Sequence, residues 1–246
     1  MEKKKAYSFI AGFIILFFIY HFPEFFQAFW IMAVFKTGFL LMAFIIARMQ
    51  GWKGLGGFGL GLVPGFRSDL VKGIFIGLIG FGISLLLSII LGYERIVTVP
   101  TVQSILAQMP MLLLMTSIPS VAEDILTRGY LFGHLSERLS KNSWIFISTA
   151  VYVLNHIWRL SDGVAVLTYL FLLGAVLAFA VWSTKLLWLA FGIHWGSNIA
   201  FESSNSMFKT ESLVSHQGSN WVLAATWALL FLLLTLFKPG EKAKVR

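Results

Sequence analysis

Apolar residues dominate the chain in eight long runs, near Tyr7–Phe22, Phe25–Ala47, Val71–Leu91, Ile105–Leu135, Trp144–Leu160, Val164–Val181, Leu186–Phe201 and Trp221–Phe237. A helix needs about 20 mainly apolar residues to cross the hydrocarbon core of a bilayer. None of the runs alternates apolar and polar positions over about ten residues, as the strands of a membrane barrel do. The pattern predicts an all-α fold, a polytopic transmembrane bundle of about eight helices with both ends of the chain on one side. Lys3, Lys4 and Lys5 precede the first run as in a signal peptide, yet no small-residue cleavage site follows Tyr20. That run is therefore expected to stay as an anchor. No repeat, linker or shift of composition divides residues 1–246, which read as a single integral membrane domain.

Composition agrees with this and removes other classes. Hydrophobic residues make up 58% and charged residues 12% of the chain, and the mean hydropathy is +0.82, whereas a soluble domain carries about 25% charge. Disorder, nucleic-acid binding and, with no cysteine, a disulfide scaffold are excluded. A net charge of +8 would otherwise suggest an acidic partner. Its distribution says otherwise. With the N-terminus in the cytosol, fourteen basic residues lie inside: Lys3–Lys5, Arg48, Lys53, Arg67, Lys72, Arg138, Lys141, Lys185, Lys238, Lys242, Lys244 and Arg246. Three, Arg95, Arg159 and Lys209, lie outside. This is the positive-inside pattern of a multi-pass cell-membrane protein with cytoplasmic N- and C-termini. The stretch Gly54-Leu55-Gly56-Gly57-Phe58-Gly59 spells GxGxxG, but no strand precedes it, so a flexible cytosolic loop is expected rather than a nucleotide site.

The chemistry is concentrated in the few polar groups that interrupt the runs. Ionisable side chains inside a membrane are costly unless paired or hydrated, so each is a functional hypothesis. Lys36 lies midway along the second run and has no evident role. The fourth run holds Ser120, Glu123, Asp124 and Arg128. Ser120 and Glu123 after Pro119 fit a capping box, which would leave Asp124 and Arg128 unexplained. Asp124 and Arg128 are spaced i, i+4, one helix face apart by a single turn, and are expected to form an ion pair. Glu123 is then unpaired locally and suited to take a proton from water. In the fifth run Tyr152 and His156 share a face, with Asn155 beside them. In the seventh, His194 and Asn198 repeat the i, i+4 spacing and could donate hydrogen bonds to a developing oxyanion, or simply bond across the bundle. These groups stand nine to fifteen residues above the cytosolic ends of their helices, so one shared intramembrane cavity can hold them all at about 1.5 Å per residue.

Together the segments EDILTR (Glu123 to Arg128), YVLNH (Tyr152 to His156) and HWGSN (His194 to Asn198) resemble the signature of the CAAX-protease and bacteriocin-processing family, also called CPBP or Abi. Its pattern runs EExxxR, FxxxH and HxxxN or HxxxD in separate helices of an eight-helix bundle. Arg128-Gly129-Tyr130-Leu131-Phe132-Gly133 also looks like the RGxLFG stretch that follows the first motif. The resemblance covers a catalytic core at about 105–201. Asp124 stands where the family has a second Glu, and Tyr152 where it has Phe; the first Glu is intact at Glu123.

The resemblance implies an intramembrane endopeptidase, a hydrolase that cuts membrane-associated, prenylated or otherwise lipophilic peptides. Glu123 with His156 would activate water, His194 and Asn198 would stabilise the oxyanion, and Asp124 with Arg128 would set the helix and its electrostatics. Glu123, His156 and His194 could also supply a zinc ion with one carboxylate and two imidazoles, and the resemblance leaves open whether a metal takes part. The expected partners are the lipid bilayer and a peptide or protein substrate, with no nucleic acid. Two alternatives are a non-catalytic immunity or assembly partner with the same fold, and a proton-coupled transporter built on the same polar groups.

Overall fold

The computed structural model describes residues 3–26, 28–213 and 217–237. Among them the chain forms eight helices: α1 Lys3–His21, α2 Phe29–Met49, α3 Phe66–Ile90, α4 Val102–Leu135, α5 Lys141–Asn155, α6 Val164–Thr184, α7 Trp188–Ser206 and α8 Gln217–Phe237. An antiparallel ribbon of β1 Glu94–Ile96 and β2 Thr210–Ser212 ties the α3–α4 connection to the α7–α8 connection. Lys238, Lys242, Lys244 and Arg246, with positions 214–216 of the last loop, lie outside the described residues.

The all-α polytopic bundle is as the apolar pattern predicts. Six helices, α1 to α4, α6 and α8, are long and apolar enough to cross a membrane, and they leave Ile14, Phe18, Phe75, Ile79 and Leu232 exposed, as lipid-facing positions are. The other two carry the second and third motifs. Helix α5 has 15 residues and stops at Asn155, five residues short of the predicted end. His156 caps it and Ile157–Arg159 turns away as a 3-10 segment. Helix α7 is diluted by His194, Ser197, Asn198 and Glu202. Helix α5 is too short to count as a span although it exposes Phe146 and Leu154, and α7 spends its length on polar groups that line the interior.

Backbone contact positions α7. A Cβ on Gly77 would stand 2.1 Å from the Ile193 carbonyl oxygen, and one on Gly196 would stand 2.2 Å from that of Ile74. Only glycine lets α3 and α7 approach so closely, and this locks the rotation of the helix that bears His194. Gly77→Ala is accordingly expected to destabilise the detergent-solubilised protein by about 2 kcal/mol through overpacking. Gly82→Ala, on the same helix with open space around it, should leave thermal unfolding unchanged.

The segment expected as a flexible loop is structured. Gly54–Phe58 forms a 3-10 turn whose Phe58 ring is buried and packs 5.4 Å from that of Tyr130. The Gly59 carbonyl accepts a hydrogen bond from the Leu187 N–H at 2.9 Å. Gly129 permits this, since a Cβ there would lie 2.6 Å from the Phe58 carbonyl oxygen. The RGYLFG stretch thus acts as a seat for the glycine-rich turn.

Candidate active site

Helix α4 does not begin at Ser120. It runs unbroken through both Pro110 and Pro119, so the capping-box reading of Ser120 and Glu123 fails. Ser120 instead donates to the Thr116 carbonyl at 2.6 Å, one turn back. Directly after Asp124 the helix widens into a π-turn at Ile125–Gly129, a bulge often found at functional sites. Arg128 lies on this bulge. Its Nη1 donates to Asp124 Oδ1 and also to Thr127 Oγ1 at 3.0 Å. Its guanidinium stacks 4.3 Å over the Tyr152 ring. Asp124 and Arg128 are fully buried, as the i, i+4 spacing predicts.

Glu123 is unpaired only in its own helix; the tertiary structure surrounds it. Asn155 Nδ2 donates to Oε1 at 3.0 Å. His156 Nε2 faces the same oxygen at 3.6 Å, and His194 Nε2 faces Oε2 at 3.7 Å. The tautomer of His156 follows from its other nitrogen. Nδ1 lies 2.8 Å from the Tyr152 carbonyl, which can only accept, so Nδ1 carries the proton. When neutral, the ring presents a lone pair to a carboxylate oxygen. Two acceptors at that separation are bridged naturally by a water that donates to one or both. His194 is held from the other side, its Nδ1 3.3 Å from Asp124 Oδ1. The Tyr152 ring packs edge-on against both imidazoles, at 4.7 and 6.0 Å, which is the aromatic role its position in the motif requires.

Asn198 lies one turn beyond His194. Its Nδ2 donates to Ser120 Oγ at 2.9 Å, leaving the second amide hydrogen for another acceptor. Glu123, Tyr152, His156, His194 and Asn198 all line one cavity of about 580 Å³. Its walls are apolar at Leu170, Leu173 and Trp227, and its rim is polar at Glu94, Asn205, Gln217 and Asn220. All six residues expected to carry the chemistry are thus within one cluster or one turn of it.

Sequence reasoning missed three members. Asn155 bonds Glu123 directly. Its Oδ1 in turn receives His21 Nε2 at 3.0 Å, and His21 Nδ1 is 2.6 Å from Glu24 Oε2. His21 and Glu24 stand three apart around Pro23 at the end of the first run, a polar pair in an apolar setting that was available as a signal. Lys36, which had no role, is buried here: its Nζ donates to Glu24 Oε1 at 3.2 Å and to the Tyr20 carbonyl at 2.9 Å. That carbonyl is one of the four left free where α1 ends.

The donor chemistry of Glu123, His156 and His194 would suit zinc, but the three are not gathered about one point. Oε1 is already occupied by the Asn155 amide, and each imidazole is turned to a separate carboxylate oxygen. Among the described residues no group of three His, Asp or Glu side chains is gathered as a metal-binding set.

Fold and cluster define the class: a multi-pass membrane protein with a polar site in a cavity between helices. Residues 105–200 match the family model of the type II CAAX prenyl endopeptidase Rce1-like proteins. Over this segment, which contains every motif residue from Glu123 to Asn198, the chain is similar to the CAAX-protease family, a family of proteases. No curated protein and no solved structure matches the chain.

Proposed function

We propose that the protein is an intramembrane endopeptidase that hydrolyses a peptide bond in a prenylated or otherwise lipophilic membrane peptide. The observation that carries this reading is the carboxylate of Glu123 with its two oxygens turned to the Nε2 atoms of two histidines, at 3.6 and 3.7 Å, on the wall of a cavity. A water between Glu123 and the His156 lone pair gives its proton to Glu123 as its oxygen attacks the scissile carbonyl carbon. The negative charge that forms on the carbonyl oxygen is met by His194 and the spare amide hydrogen of Asn198. As the C–N bond breaks, the proton passes from Glu123 to the leaving nitrogen, giving a carboxylic acid and an amine. Glu123, Asp124 and Arg128 sum to one negative charge, which a proton on His194 would balance while making it a donor to the oxyanion. Asp124 and Arg128 touch no substrate; they hold α4 and His194 in place.

The same reading places the protein in the cell membrane with both termini in the cytoplasm. The turn of Gly54–Phe58, which packs on the Arg128–Gly133 stretch, lies in the segment that carries Arg48, Lys53 and Arg67, and positive-inside bias puts that end in the cytosol. A transporter would need polar groups in matching positions of two halves, whereas the residues around Glu123 come from α4, α5 and α7, with support from His21 and Lys36 on α1 and α2.

The direct test is cleavage of a farnesylated peptide ending in a CAAX sequence by the purified full chain. Asn198→Leu is expected to lower kcat about a hundredfold, the size of a lost oxyanion donor, with KM nearly unchanged. A wild-type chain that leaves this peptide and a panel of other lipidated peptides intact would overturn the proposal.

A further inference from the structure

We infer that His21 and Glu24, at the turn that ends α1, are positioning residues for Glu123 and act on it through the Asn155 amide. This rests on the reading of Glu123 as the base that activates water. The contacts form an unbroken series: Glu24 Oε2 to His21 Nδ1 at 2.6 Å, His21 Nε2 to Asn155 Oδ1 at 3.0 Å, and Asn155 Nδ2 to Glu123 Oε1 at 3.0 Å. Each link fixes the sense of the next. A carboxylate oxygen accepts, so Asn155 must turn its NH₂ to Glu123 and its oxygen to His21. His21 Nε2 must therefore carry a hydrogen. Glu24 shares the proton at the other ring nitrogen.

The remaining neighbours hold the far end of the series. Lys36 Nζ lies 3.2 Å from Glu24 Oε1, and Trp158 Nε1 donates to Glu24 Oε2 at 3.1 Å. His21, Lys36 and Asn155 are all at least nine-tenths buried. An amide with free rotation could offer Glu123 either its NH₂ or its oxygen, and the second would repel the carboxylate. Fixing the amide holds Oε1 in one place and leaves its second lone pair for the water shared with His156. Helices α1 and α2, which lie outside the matched residues 105–200, thereby become part of the site.

The test uses the full chain and the farnesylated CAAX peptide. His21→Leu and Asn155→Leu are expected to lower kcat ten- to a hundredfold, the effect of a misplaced reacting group, with KM within about twofold of wild type. His21→Gln keeps a donor toward Asn155 Oδ1 and should recover most of the loss, and none of the three should move the thermal transition by more than a few degrees. Wild-type kcat in His21→Leu would overturn the inference. So would a His21→Gln variant as slow and as unstable as His21→Leu, which would mean a purely structural contact. A second readout needs no turnover: the ¹³C carboxyl resonance of Glu123, assigned by its loss in Glu123→Gln, should shift in His21→Leu. If the wild type cleaves nothing, the proposed function fails, and this shift alone supports the linkage while its absence overturns it.

Discussion

Glu123→Gln is expected to lower cleavage of the farnesylated peptide by at least about a thousandfold while leaving the protein folded. The magnitude follows from the loss of the group that takes the proton from water, which contributes roughly 10²–10⁴ in rate, together with the loss of the same proton for the leaving nitrogen. Folding should survive because Gln keeps an oxygen for the Asn155 amide at Oε1 and the shape that packs beneath His156 and His194. The measurement is kcat beside the thermal transition in detergent. Retained turnover in Glu123→Gln would remove Glu123 from the chemistry, and loss of turnover together with loss of the folded state would assign it to structure.

Arg128→Leu produces the other large effect, and it is one of stability. Arg128 and Asp124 are both fully excluded from solvent, and their hydrogen bonding is incomplete: Asp124 Oδ2, Arg128 Nε and Arg128 Nη2 have no hydrogen-bond partner among the described residues. Removing the guanidinium leaves a buried carboxylate uncompensated, at a cost of about 3–5 kcal/mol, and lowers the thermal transition by about 10 °C. Removing both charges, in Asp124→Leu with Arg128→Leu, should cost less than Arg128→Leu alone, because no isolated charge remains. If the single and double variants unfold at the wild-type temperature, the pair contributes only geometry. Activity should fall in both cases, since Asp124 also lies against His194 Nδ1.

Much of this was legible in one dimension. Local spacing reports contacts within a helix: Asp124 with Arg128 is a one-turn pair, and it forms as expected because a helix brings i and i+4 together whatever surrounds it. Composition reports the solvent of the fold, and a chain with 12% charged residues can only bury itself in lipid. The three motifs stood out because polar groups are expensive among apolar ones. The same logic misjudged Ser120, whose capping spacing was real but whose helix had begun at Val102. It also extended the fifth run past Asn155, since hydropathy cannot see where a helix gives up its last hydrogen bonds to a cap.

What sequence alone determined here is therefore the membrane setting, the all-α class and the identity of Glu123, Asp124, Arg128, His156, His194 and Asn198 as the unusual residues. Tertiary structure decided the rest. That Glu123 is cradled by Asn155, that Asn155 is held by His21 across more than a hundred positions of chain, that Lys36 answers Glu24, and that α3 and α7 touch through glycine all depend on which helices are neighbours. Helix neighbours in a bilayer are chosen by close packing and interhelical hydrogen bonds rather than by hydrophobic contrast, because lipid is as apolar as the helix faces themselves. A hydropathy pattern carries no record of that choice.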